Sequence, residues 1–346
     1  MNLFEYTRAA SLGEAVAAAQ KPGAVYLAGG TNLLDLMKGG VTAPAHLVDI
    51  TRLPGLDAIE RRPDGSTRIG ALVRNSDLAN DSWFAETYPM VAEALLSGAS
   101  AQLRNAATVG GNLLQRTRCE YFYDPASACN KREPGMGCAA LGGATRIHAV
   151  QGWSEHCIAT HPSDFCLPLA ALSAIVEIEG PEGARTVPLT AFHNLPGEHP
   201  ERETALRSGE LITGLLLPPE AAAFARNARY LKVRDRTSYA FAVVSAAAAL
   251  TLDAGRIVEG RLAFGGLALK PWRVAEAEAA LAGKPPTPET YAEAARLALA
   301  GAEPTGEANA FKIELARRVA SRALALAAAG TPARLPALPA SPFGIA

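Results

Sequence analysis

All five cysteines of the chain fall between Cys119 and Cys166, in a stretch with little hydrophobic periodicity and many turn formers. Their spacing runs Cys119-x9-Cys129-x8-Cys138-x18-Cys157-x8-Cys166. An odd count argues against a disulfide framework, as does an N-terminus that lacks the basic and apolar regions of an export leader. An iron–sulfur cluster, a structural zinc and plain buried thiols remain. Cys119 follows Arg116-Thr117-Arg118, Cys129 opens Cys129-Asn130-Lys131-Arg132, and Cys138 closes Glu133-Pro134-Gly135-Met136-Gly137. Nearby cations favour thiolates, and Gly/Pro-rich loops let backbone amides approach cluster sulfurs. Structural zinc usually shows a C-x2-4-C pair, and none is present. Cys166 sits differently, in His161-Pro162-Ser163-Asp164-Phe165-Cys166-Leu167, which reads as a capped helix start with an apolar face. A cysteine there packs as a small hydrophobe. Cys119, Cys129, Cys138 and Cys157 are therefore the expected metal ligands, and Cys166 is expected in the core.

The surrounding chain is ample for a core: 346 residues, 49% hydrophobic. At that length two or three compact units are expected. Lys and Arg (33) nearly balance Asp and Glu (34), a net charge of -1. That balance offers no nucleic-acid surface and no polybasic membrane patch. Mean hydropathy is +0.08, and no apolar run reaches the ~18 residues that span a bilayer.

Residues 24–50 read as strand, glycine turn, short helix and strand. Strand signals near Arg68–Ala71 precede helices through Leu78 and from Val91 to Ser97. The glycine-rich Thr108–Asn112 segment comes next, and the cysteine stretch looks inserted after it. An alternating strand resumes at Ala174–Glu179. Beyond Pro218-Pro219 the segments 229–233, 243–252 and 261–268 suggest an antiparallel set, although the alanine run in the second is ambiguous. Alanine-rich helices are expected at 273–283 and 288–329, broken at Lys284–Pro288, and an extended tail over 331–346.

Two glycine segments invite an anion. A strand running into Gly29-Gly30-Thr31-Asn32 and then a helix presents unpaired amides at a positive dipole end. With Val109-Gly110-Gly111-Asn112, two loops from different lobes could hold the halves of a dinucleotide pyrophosphate; both could equally be tight turns. Neither GxGxxG nor GxxxxGK[ST] occurs. Ser163 and Asp164 are credible helix caps, and Lys232 could face solvent or a cofactor. No Ser/His/Asp order, HExxH or paired carboxylate stands out, so no catalytic residue and no histidine ligand is assigned.

Ala28-Gly29-Gly30-Thr31-Asn32-Leu33-Leu34 together with Arg104-Asn105-Ala106-Ala107-Thr108-Val109-Gly110-Gly111-Asn112 resembles the FAD-binding medium subunits of the xanthine dehydrogenase, or molybdenum hydroxylase, family. Tyr230-Leu231-Lys232 through Ser245 and Ala263–Gly266 resemble that family's C-terminal flavoprotein domain. The cysteine segment is similar to an insertion in the periplasmic aldehyde oxidoreductase subgroup, which there carries a [4Fe-4S] cluster. The resemblance implies an α+β chain with a two-lobed FAD-binding fold of the PCMH type, a small N-terminal α/β lobe (1–55) plus a larger mixed-sheet lobe (56–220). The cysteine insertion would occupy about 115–160, and an antiparallel sheet with helices would follow at 225–330.

The resemblance also implies site roles. Leu27, Ala28, Gly29, Gly30, Thr31, Asn32, Leu33 and Leu34 would cradle the FAD pyrophosphate, with Thr108, Gly111 and Asn112 as a second clamp. Asp164 and Lys232 would lie near the flavin ring or ribityl chain, with Ile212 a further match. Cys119, Cys129, Cys138 and Cys157 would ligate the cluster. The implied partners are a large molybdenum-cofactor subunit and a small subunit with two [2Fe-2S] clusters, in a heterotrimer that passes electrons to an external acceptor. Resemblance favours a periplasmic complex co-exported with a signal-bearing partner; the chain alone reads as cytoplasmic. The alternatives are a stand-alone FAD-dependent reductase of the same fold and a zinc-stabilised scaffold.

Overall fold

The computed structural model describes residues 1–333, so most of the expected 331–346 tail lies outside the described residues. Three sheets follow one another along the chain. The first is parallel, with β1 (Glu5–Arg8), β2 (Ala24–Leu27) and β3 (His46–Asp49) in the order β1-β3-β2. Parallel neighbours need crossovers, and the helices Leu12–Ala18 and Leu33–Lys38 supply them. The second sheet is antiparallel: β4 (Ile59–Arg61), β5 (Thr67–Gly70), β6 (Ile175–Gly180), β7 (Gly183–Pro188) and β8 (Leu211–Leu217), in the order β4-β5-β8-β6-β7. Strand β6 alternates half-buried and buried residues, the period-two pattern its sequence announces. Between β5 and β6 run seven short helices, one of them, Glu120–Tyr123, within the cysteine segment.

The third sheet joins β9 (Ala228–Val233), β10 (Val244–Asp253), β11 (Arg256–Gly265) and β12 (Trp272–Arg273), again antiparallel. Here the alanine run of β10 is resolved as strand. Ala246, Ala248 and Leu250 pack with Ala316, Ala320 and Ala323 of the helix Phe311–Ala328, while Ala247 and Ala249 join the core of the second sheet. A strand covered closely on both faces suits small side chains, and that packing overrides alanine's helical preference.

Two expectations are corrected. The helix expected over 288–329 is two, Pro288–Ala298 and Phe311–Ala328. Between them Gly301 takes φ +73°, a left-handed turn that ends the first helix, and Pro304 follows. The Thr108–Asn112 segment is not a loop: Val109–Leu113 is helical, with the Thr108 hydroxyl capping the Gly111 amide at 3.2 Å.

The cysteine segment has little regular structure of its own. It carries one turn of helix, Glu120–Tyr123, and isolated bridges pairing Cys129 with Cys138 and Ser154 with Cys157. Contacts from outside the segment add to its own hydrogen bonds in holding its shape. Lys131, 1% exposed at its side chain, pairs with Glu203 at 2.8 Å and donates to the Pro200 carbonyl at 2.7 Å, and Arg116 reaches Glu203 at 2.9 Å. On the other flank Asn309 and Lys312, both fully buried, donate to the carbonyls of residues 147–149.

Burial pushes the Glu203 pKa up, but Lys131 and then Arg116 outweigh it and hold it below the ordinary 4.5. The pair's contribution is therefore complete above about pH 4.5 and is lost as pH falls through the lower folded value. Glu203→Gln leaves Lys131 buried and unpaired, and is expected to cost on the order of 3 kcal/mol and to flatten the acid limb of the stability profile. Equilibrium unfolding from pH 3 to 7 checks this; an unchanged profile would contradict it.

Candidate functional site: a glycine-walled cleft beside a cysteine pocket

A cleft of about 1130 Å3 opens where the three sheets meet. The turn after β2 supplies one wall, and its glycines are there for close approach. Gly30 has φ +70°, and a Cβ on Gly29 would run into the Ala106 carbonyl, so the two glycine segments lie against each other. Among the described residues the amides of Gly29, Gly30, Thr31 and Asn32 donate to no protein group. Free donors in a row beside a helix start form an anion cradle.

The second glycine segment works by other means. The Gly110 amide donates to the Ala71 carbonyl, that of Gly111 to the Thr108 hydroxyl and that of Asn112 to the Thr108 carbonyl. Its amides are spent internally, so it contributes a smooth wall rather than free donors. A Cβ on Gly110 would meet that of Ala71 at 2.9 Å, and the wall has no room to be thicker.

The remaining walls come from farther along the chain. Strand β9 is docked by Glu93, whose carboxylate accepts from the Tyr230 amide at 2.7 Å and from Arg229 at 3.0 Å. Tyr230 and Lys232 therefore share the face of β9 that meets Asp164. Lys232 pairs with Asp164 at 2.7 Å, and the Tyr230 hydroxyl donates to the other carboxylate oxygen. Asp164 spends its carboxylate on these two, and at the start of the helix Cys166–Ala171 the Ser163 hydroxyl accepts from the Cys166 amide at 3.3 Å. Ser163 in turn donates to Asn112 at 2.7 Å. Ile212, from β8, reaches the cleft from the opposite side, close to where the Tyr26 hydroxyl donates to the Gly209 carbonyl at 2.7 Å.

Of the residues singled out in the sequence, Ala28, Gly29, Gly30, Thr31, Asn32, Leu33, Thr108, Gly111, Asn112, Asp164, Ile212 and Lys232 line this cleft. Leu27 and Leu34 are not on its wall; the Leu34 side chain packs behind Gly30. Sequence reasoning missed Arg116 and Arg118, and the exposed lip of Arg236, Tyr239 and Phe241. No periodic pattern marks such lip residues.

Beside the cleft, Cys119, Cys129, Cys138 and Cys157 line one small pocket with Thr117, Lys131 and Ala159. The two places share a wall. Leu36 faces the cleft and also packs with Cys119 and Cys157, and the Asn32 side chain accepts from the Arg116 amide at 3.0 Å. Burial pushes the Cys119 thiol up to about 12 and Cys157 up to about 11, the latter eased by Lys131. A tetrahedral zinc ~2.3 Å from each sulfur would draw its ligands to roughly 3.8 Å of one another. Among the described residues the one set of three such donor atoms all within 4.8 Å lies elsewhere, at His161, Cys166 and His193. No three of the four cysteine sulfurs lie mutually that close.

Cys166 is buried in the main core, as expected. A divalent ion on its trio would keep net positive charge after one thiolate. Burial already holds both imidazoles neutral, and Lys131 and Lys270 add repulsion at His161 and His193 respectively.

Residues 2–220 match the family described as the FAD binding domain in molybdopterin dehydrogenase, and residues 229–327 the CO dehydrogenase flavoprotein C-terminal domain. The chain is 50% identical to the aldehyde oxidoreductase FAD-binding subunit PaoB of Escherichia coli over 332 residues, covering 95% of this chain and 99% of that one. It is 30% identical to the carbon monoxide dehydrogenase medium chain of Hydrogenophaga pseudoflava, with 93% and 96% covered. It also matches a solved carbon monoxide dehydrogenase structure from that organism with TM-score 0.73 at 29% identity, over 94% of this chain and 97% of that one. The α+β architecture of PCMH type expected from the sequence therefore holds.

Because the Gly29 backbone abuts Ala106, Gly29→Ala is expected to push the two walls apart and lower stability by about 1–3 kcal/mol. Denaturant unfolding of the purified protein measures it; native-like stability would mean that the walls are free to shift.

Proposed function

The chain belongs to the family of FAD-binding subunits of molybdopterin dehydrogenases, and on that premise we propose that it is the electron-transfer subunit of a molybdenum-containing aldehyde oxidoreductase. In this reading it binds FAD in the glycine-walled cleft and a [4Fe-4S] cluster on Cys119, Cys129, Cys138 and Cys157. Electrons arrive from [2Fe-2S] clusters of a small partner subunit and leave for an external acceptor, in a heterotrimer completed by a large molybdenum subunit. The complex works in the periplasm, carried there by a signal-bearing partner. The observation that carries the reading is the shared wall: one helix, Leu33–Lys38, lies between an anion cradle with free amides and a pocket of four spaced thiols.

The residues fit both groups. The free amides of Gly29 to Asn32 suit a pyrophosphate, and the cleft is somewhat larger than the usual small-molecule site, as a dinucleotide needs. Bound there, FAD supplies one- or two-electron exchange and the cluster one-electron exchange. The chain's own residues bind and orient. The Asp164–Lys232 pair, with Tyr230, fixes charge at the inner end of the cleft. Lys131 offsets the negative charge of thiolates at Cys157. Leu36 and the neighbouring apolar side chains keep water out of the space between the sites. For partner contact, Leu3, Phe4 and Tyr6 are exposed together beside and on β1, an edge strand of the first sheet.

The direct test is metal and flavin analysis of the co-purified complex after anaerobic separation of its subunits. About four iron atoms and one flavin on this chain are expected. Cys119→Ser should lose the iron and keep the flavin; flavin without iron in the native chain would reduce the cysteines to structure. Lys232→Ala leaves Asp164 buried without its cation, and is expected to lower flavin occupancy or shift the flavin potential. Identical occupancy and potential would reject a role for Lys232.

A further inference from the structure

We propose that His148 tunes the cluster through a hydrogen bond to the Cys119 sulfur, and that the C-terminal domain holds it in place to do so. The inference rests on the reading of the four cysteines as cluster ligands. His148 Nε2 lies 3.2 Å from Cys119 Sγ, and both side chains are buried. His148 is not among the residues that line the pocket. Among the described residues no other side chain hydrogen-bonds a sulfur of the four.

A sulfur that ligates a metal has no proton to donate, so a hydrogen bond between it and Nε2 at 3.2 Å requires the N–H on Nε2. A donor at a ligand sulfur withdraws electron density from the metal and stabilises the reduced state, which raises the reduction potential. One electron is gained and no bond is broken; the proton stays on His148.

The ring could not hold this position by itself, because residues 144–150 have no regular structure. Three clamps fix it. Lys312 donates to the carbonyls of Ile147, at 3.2 Å, and of His148, at 2.7 Å, and also to that of Gly266. Asn309 donates to those of His148, at 3.3 Å, and Ala149, at 3.1 Å. The Ala149 amide then pairs with the Ile158 carbonyl, next to Cys157. Both side-chain clamps come from the segment 309–312, at the break between the two long C-terminal helices. A fully buried lysine and asparagine spent on one irregular loop are a costly arrangement, and His148 is the chemically active group they hold.

The test uses the co-purified complex. The cluster midpoint is followed by low-temperature electron paramagnetic resonance through the signal that Cys119→Ser abolishes, with iron measured on the same samples. His148→Leu is expected to keep native iron content and to lower the midpoint by about 59 mV, a tenfold change in the reduced-to-oxidised ratio of a one-electron couple. His148→Gln, which returns an N–H donor, should recover much of that shift. An unchanged midpoint in His148→Leu at native iron content overturns the proposal while leaving the cluster assignment intact. Absence of iron from this chain in the native complex overturns both. Where His148→Leu fails to retain iron, 15N-histidine labelling of the native complex decides. A 15N hyperfine coupling to the reduced cluster supports the bond, and its absence overturns it.

Discussion

The arrangement of the molecule turns on the carboxylate of Asp164. It receives the Lys232 ammonium and the Tyr230 hydroxyl, two residues of one strand face, while the adjacent Ser163 holds Asn112. That pair of residues ties together the glycine-bearing helix of the second lobe, the end of the cysteine insertion and the third sheet. An ion pair so deeply buried contributes little net stability against a hydrophobic equivalent, but breaking it leaves a stranded charge. Its value is positional: the three parts meet in one register, and the cleft exists only where they meet.

The interdomain clamps obey the same logic. Glu93 satisfies the Tyr230 amide and Arg229 together, and Lys131 with Glu203 pins the insertion to the loop before β8. The insertion is too irregular to hold a shape by backbone pairing, so charged groups aimed at single carbonyls and carboxylates take over the task. Each is costly if left unpaired, and that penalty is what makes the geometry specific.

How much of this could be read from the chain follows the range of the forces. Strands with alternating burial, such as β6, and the turn Gly29–Gly30 were legible because their signals are local. The separation of Cys166 from the other four cysteines was legible too, because a capped helix start differs in composition from a Gly/Pro loop. The alanines of β10 were ambiguous because what decides them is a helix some 70 residues later packed against the strand. Thr108–Asn112 misled for a related reason: Gly110, which suggests a loop, is required by contact with Ala71 just past β5, and a threonine cap makes the segment helical despite its glycines. His148, Asn309 and Lys312 carried no signal, since their meaning lies in a contact between segments more than 150 residues apart.

The electrostatics of the cysteine pocket explain why such distant support is needed. In apolar surroundings the Cys119 and Cys157 thiols are pushed up by burial, and Lys131 eases only the latter. Thiolates become favourable there when a group of positive charge arrives with them. The loops that carry the sulfurs have little secondary structure to hold them. The clamps from Glu203, Asn309 and Lys312 fix the segment that carries the four sulfurs, so a group bound there would not be charged with that ordering. Because two of those clamps belong to the C-terminal segment and the shared wall belongs to the N-terminal lobe, the pocket depends on both ends of the chain, and a change at either reaches the sulfurs through a few named contacts.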